Sequence, residues 1–98
     1  MYGTIARLRA KAGSEDALQK LNDEYAQGGI PGLVSEVVFR SDADPREYWL
    51  AVVFESREAY RKNAESPEQD ARYQELRALL DDDPEWHDGE TVSQYPSR

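Results

Sequence analysis

The chain has no cysteine, which removes disulfides, thiolate metal ligands and cysteine nucleophiles together. It has one histidine, His87, too few for an imidazole-rich metal site. Long apolar runs are missing as well. The longest, WLAVVF at 49–54, falls far short of the roughly 20 residues that cross a bilayer. The N-terminus, MYGTIARLRAKAG, alternates where a secretory leader would set a basic stretch before an apolar block. These absences point to the cytoplasm. Cations are the minority, with 12 Lys and Arg scattered among 20 Asp and Glu for a net charge of −8. Binding a duplex or an anionic membrane requires clustered cations, so neither nucleic acid nor membrane is an expected partner, and the acidity serves solubility. No G-x-S-x-G elbow is present, and Gly28, Gly29 and Gly32 follow a helical pattern where a dinucleotide fingerprint would follow a strand.

What is present is one small domain's worth of patterned chain, 98 residues, expected to form a single domain over 1–98. YGTIARLR (2–9) alternates, with Thr4, Ala6 and Leu8 on one face and Ile5, Arg7 and Arg9 on the other. Ser14 stands where it can cap a helix whose stripe is Ala17, Leu18, Leu21 and Tyr25, and GGIPG stops that helix. LVSEVVFR (33–40) and EYWLAVVFE (47–55) are β-rich and form a hairpin across SDADPR. Ser56 caps a short helix. Ser66, with Pro67 next and Gln69 three residues on, carries a capping-box signature for another, striped by Tyr73, Leu76, Leu79 and Leu80. Pro84 closes the helical stretch, and EWHDGETVSQY (85–95) alternates as a last strand.

The order βαββαβ predicts an α+β, ferredoxin-like arrangement: a four-stranded antiparallel sheet with helices on one face. The third strand is apolar on both sides, with Trp49, Ala51 and Val53 opposite Tyr48, Leu50, Val52 and Phe54. Helices cover one face only, so a second copy covering the Trp49, Ala51 and Val53 face is the simplest remedy. Arg7 and Arg9 share that face and are expected to pair with acids across the interface.

TIARLRAKAGSEDALQKL, VFESREAYRKNAESPEQDARYQEL and the closing proline, tryptophan and strand, taken in this order, resemble the antibiotic biosynthesis monooxygenase-like proteins of the dimeric α/β-barrel superfamily. The resemblance runs over nearly the whole chain. It implies a homodimeric barrel of two face-to-face sheets, with a small-molecule pocket between each sheet and its own helices. It also implies oxygenation of a quinol-like aromatic without metal or flavin. Family members often carry a glutamate in the middle of the third strand and a histidine in the following helix, where this chain has Val52 and Asn63. Haem-degrading relatives use an asparagine and a histidine at places held here by Ala6 and Tyr73, which argues against haem. No cofactor is expected.

Three stretches could carry chemistry. DPEWHDGE (83–90) holds His87, but strand alternation sends His87 and Asp88 to opposite faces, so the stretch is expected to be architectural, with Trp86 packing over the core end. DDD (81–83) and DAD (42–44) suggest calcium. DAD lacks the glycine and glutamate of a calcium loop, and DDD is expected to be a solvated helix end. The third set is aromatic: Tyr25, Tyr48, Phe54, Tyr60 and Tyr73, with Asn63, would suit a planar, partly polar ligand. The alternative is that these tyrosines rim a small core with their hydroxyls in water. Asn63 and Tyr73 are the candidate catalytic hydrogen-bonding groups, with His87 a remote choice of base. Three functions remain open: a cofactor-independent monooxygenase, a non-catalytic dimer binding a small ligand, and an isomerase or dehydratase on the same scaffold.

Overall fold

The structure, a computed structural model, describes residues 1–96, apart from the side chain of residue 26. Seven elements follow in order: β1 (Tyr2–Arg9), α1 (Glu15–Gly28), β2 (Leu33–Arg40), β3 (Glu47–Phe54), α2 (Arg57–Ala64), α3 (Pro67–Ala78) and β4 (Glu85–Glu90). The strands form one antiparallel sheet in the order β2-β3-β1-β4, the expected ferredoxin-like topology. Gly3 permits the close approach of β1 to β3, since a Cβ there would stand 1.9 Å from the Val52 carbonyl oxygen.

Register sorts the helix-facing side chains into rows across the sheet. Leu8 pairs with Tyr48; Val38, Leu50, Ala6 and Trp86 form the next row; Glu36, Val52, Thr4 and Asp88 form the one after. The core gathers at the Leu8 end, where Leu8, Ala10, Leu18, Tyr48 and Leu80 are buried together, with Leu76 and Leu79 packed on them. Toward the Thr4 end the rows turn polar and border a cavity between the sheet and the helices. The opposite face stays apolar and open: Ile5, Val37, Phe39 and Trp49 are all exposed.

Several local expectations need correction. β4 stops at Glu90, short of residue 95, because β1 begins at Tyr2 and offers no further partner; Val92 is 93% exposed. Ser14 makes no side-chain cap; the Gly13 N–H instead donates to Glu15 Oε1 at 3.3 Å. Ala17 is exposed, which narrows the α1 stripe to Leu18, Leu21 and Tyr25. The capping box at Ser66 is half made. Ser66 Oγ accepts from the Gln69 N–H at 3.1 Å, while the Gln69 side chain turns to Asn63 and Arg72. α3 ends at Ala78, well before Pro84, and Leu80 joins Ala10 in an isolated bridge.

The charged residues also settle differently. Arg7 and Arg9 find their acids within the chain: Arg7 donates to Glu47 at 2.5 Å and Glu85 at 3.3 Å, and Arg9 pairs with Asp44 and, at 3.5 Å, with Asp81. The DDD segment is accordingly more than a solvated helix end. Asp81 also pairs with Arg46 at 3.1 Å, and Asp83 takes Arg77 at 2.8 Å, so two of its three carboxylates already have arginine partners.

Candidate functional site

A cavity of about 530 Å³ lies between the sheet and the helices, within the usual range for small-molecule sites. α1 contributes Leu21, Asn22 and Tyr25; α2 contributes Tyr60 and Asn63; α3 contributes Gln69 and Tyr73. The sheet supplies the floor. Tyr25, Tyr48, Phe54, Tyr60, Asn63 and Tyr73 all line this one space. The apolar stripes bring them there, because the residues that dock α1 and α3 on the sheet also aim the neighbouring tyrosines inward.

Two of the tyrosine hydroxyls, those of Tyr25 and Tyr60, are already committed. Tyr25 donates to the Arg72 carbonyl and is pushed up to about 12, by burial first and then by the nearby Glu75. Tyr60 donates to Asp88 Oδ1 at 2.8 Å and is also pushed up to about 12, by burial and then by the hydrogen bond and charge of Asp88. Its ring is fixed against Phe54 at 5.5 Å and Tyr2 at 5.2 Å between centroids. Both therefore act as neutral O–H groups and not as bases. Asn63 Nδ2 reaches Gln69 Oε1 at 3.5 Å, a loose contact that a better acceptor would displace. Tyr48 is buried in the core cluster and forms the closed end of the cavity.

Three lining groups went unrecognised from the sequence. Glu36 projects from β2 into the cavity, and burial alone raises its pKa above the ordinary glutamate value. It faces Val52 across the β2–β3 pair, so the edge strand β2 supplies the cavity with a carboxylate beside the place where β3 carries valine. Thr4, 6% exposed, has a hydroxyl with no hydrogen-bond partner. It lies near enough to the Tyr60 hydroxyl to oppose the rise in that group's pKa, yet without hydrogen-bonding geometry. Asp88 closes the row from β4. Strand alternation carried the signal for Thr4 and Asp88. Glu36 was visible only as a lone carboxylate in a β-branched run.

His87 pairs with Ile5 on the opposite face of the sheet, away from the cavity. Trp86 lines the cavity and is 45% exposed, at its rim and not over the core end. Among the described residues no three His, Cys, Asp or Glu side chains converge as metal ligands would.

The family model described as antibiotic biosynthesis monooxygenase matches residues 1–75. A solved protein from Chloroflexus aurantiacus, provisionally described as an antibiotic biosynthesis monooxygenase, is 31% identical, with 96% of this chain and 95% of that one covered and a TM-score of 0.77. SnoaB, a cofactor-independent oxygenase from Streptomyces nogalater, shares the fold at a TM-score of 0.82 and 18% identity, over 98% of this chain and 97% of its own. A Deinococcus radiodurans protein with the same provisional description gives 0.83 at 17% identity, over 100% and 99% of the two chains. Among curated protein sequences none matches.

Proposed function

Because the chain belongs to the antibiotic biosynthesis monooxygenase family, we propose that it oxidises a small, electron-rich, quinol-like aromatic with dioxygen, without metal or flavin, in the cavity between sheet and helices. The observation that carries this reading is the cavity itself: aromatic walls, neutral hydroxyls and a half-buried carboxylate in one space of about 530 Å³. In such a reaction the substrate loses its hydroxyl proton and the anion gives an electron to dioxygen. The radicals then join at a ring carbon, and the hydroperoxide loses water to leave a carbonyl. One O–H bond, one C–H bond and one dioxygen become a quinone and one water: the two hydrogens leave in the water, and the hydroxyl carbon and the attacked ring carbon both end as carbonyls. The protein's part is to exclude bulk water, orient the ring and stabilise the anion. Tyr25, Tyr48, Phe54 and Tyr60 hold the ring, and Asn63 and Tyr73 hydrogen-bond its oxygens. That SnoaB, similar in fold, is a cofactor-independent oxygenase supports the absence of a cofactor. The working unit in this reading is a homodimer closed over Trp49, Ala51 and Val53.

The test is dioxygen uptake with a quinol-type aromatic in buffer free of flavin and metal. Asn63→Ala and Tyr73→Phe should each slow uptake by more than about tenfold, roughly 1.4 kcal/mol of transition-state stabilisation. His87→Ala, on the other face of the sheet, should leave it within about twofold. Activity lost only in the His87 variant would refute the location. A second reading, a dimer that binds a ligand without turnover, is favoured by Val52 and Asn63 at the places of the family's glutamate and histidine. Binding without dioxygen uptake would identify it.

A further inference from the structure

The row Glu36–Val52–Thr4–Asp88 puts three polar side chains in one line across the cavity floor. Its two ends differ in kind. At β4, Asp88 is occupied by the Tyr60 hydroxyl at 2.8 Å. At β2, Glu36 has neither hydrogen-bond nor ion-pair partner among the described residues, and burial alone acts on it. Between them the Thr4 hydroxyl is more than nine-tenths buried and unpartnered, though its residue lines the cavity. A buried hydroxyl without a partner is uncommon in folded proteins and invites a ligand atom. Adjacent strands stand about 4.8 Å apart, so the Glu36 and Thr4 backbones are about 10 Å apart, with apolar Val52 between them. That span suits a fused ring system with an oxygen at each end better than a single ring.

We propose that this row is a two-point recognition site in which Glu36 takes the proton of the substrate's acidic hydroxyl while Thr4 donates a hydrogen bond to a second oxygen on the far ring. The assignment rests on the oxygenase reading for its chemistry. The substrate O–H bond breaks, the proton forms a bond to a Glu36 carboxylate oxygen, and the electron pair stays on the substrate, from which dioxygen takes an electron. Glu36 returns the proton to the ring peroxide; the C–H and O–O bonds then break, the distal oxygen leaves as water with both hydrogens, and the proximal oxygen stays on the ring carbon as a carbonyl. The other cavity groups fit the role less well. Asp88 is engaged by Tyr60, Asp70 is exposed, and Tyr25 and Tyr60 hold their protons up to about 12. Glu36 is the half-buried carboxylate of the cavity with no partner of its own among the described residues, and burial favours its taking a proton.

Two compounds decide it: a naphthalenediol with hydroxyls on opposite rings, and the naphthol that lacks the second one. Under anaerobic conditions the intact protein should bind the diol at least about fivefold tighter, and Thr4→Val should erase that preference while Thr4→Ser keeps it. Glu36→Leu should weaken both compounds by about tenfold, because the hydroxyl they share loses its acceptor. With dioxygen admitted, Glu36→Gln should keep affinity within about threefold but slow uptake by about a hundredfold or more, the usual share of a general base. Glu36→Asp should recover part of it. A diol preference that survives in Thr4→Val, or uptake that survives in Glu36→Gln, overturns the proposal. So does failure of both compounds to bind at millimolar concentration. If the diol binds with the expected variant pattern and the intact protein takes up no dioxygen, the oxygenase reading and the proton-transfer role fall while the two-point site stands.

Discussion

At the scale of single residues, Glu36 is a half-buried carboxylate at the cavity whose pKa burial raises. A carboxylate in LVSEVVFR is ambiguous until the face it occupies is known. β2 has an irregularity between Leu33 and Ser35, which breaks simple alternation from the strand's start. Only pairing with β3 sets Glu36 opposite Val52 and therefore over the cavity. Thr4 could be read more directly, since it alternates with Ala6 and Leu8, but its missing partner is a property of the packed structure. Burial raises the Glu36 pKa, and the sign of its effect on stability follows. Below the ordinary glutamate range both folded and unfolded states hold the proton, and the group is neutral with respect to folding. As pH rises the unfolded chain ionises first, so stability falls through the window up to the folded value and the loss persists above it. Glu36→Gln should therefore melt at a higher temperature than the parent at pH 7, by less than about 1 kcal/mol because a half-exposed group is screened. The difference should shrink as pH falls through the ordinary glutamate range and vanish below it, at about pH 3. Thermal melts at both pH values check this. A variant more stable at neutral pH yet slower in turnover would mark Glu36 as kept for chemistry and not for folding.

At the scale of elements, pattern and caps were informative in proportion to how local their causes are. The strands at 2–9, 33–40 and 47–54 and the helices after Ser56 and Ser66 stand where alternation, stripes and capping residues put them. The last strand was overextended because alternation past Glu90 is real in the sequence, while the ladder needs a partner that β1 does not have. Two serines make the same point about caps. Ser56 and Ser66 each accept a backbone N–H three residues on, at 3.0 and 3.1 Å, whereas Ser14 accepts none. Ser66→Ala should cost about 1 kcal/mol, and Ser14→Ala only a few tenths, in urea unfolding at neutral pH. Ser66 Oγ also donates to the Asn63 carbonyl at 2.9 Å and so ties the start of α3 to the end of α2. Its removal should loosen Asn63 and weaken ligand binding more than the stability change alone accounts for. Equal costs at the two serines would show that the cap does not anchor this junction.

At the scale of the whole molecule, the unsolved surface is the sheet face away from the helices. Phe39 beside Trp49, Val37 beside Ala51 and Ile5, and Val53 beside Gly3 make it apolar over three neighbouring strands. Phe39 is 60% exposed and Ile5 54%, in a chain whose charge of −8 is otherwise suited to water. Arg7 borders this patch with its charge already met by Glu47 and Glu85. A covering surface therefore needs no acids of its own, and an apolar contact suffices. An identical face on a second copy fits that requirement through a two-fold axis, where each patch supplies the other's cover. Light scattering at micromolar concentration should then return about twice the 11.2 kDa chain mass. Val53→Asp would bury an unpaired carboxylate once in each copy, several kcal/mol each, and should yield monomers. Because Val53 faces away from the cavity, the monomers should keep their own sheet and helices by circular dichroism. A monomer for the unaltered protein, or a Val53→Asp variant that remains dimeric, would place the contact elsewhere and leave this apolar face unexplained.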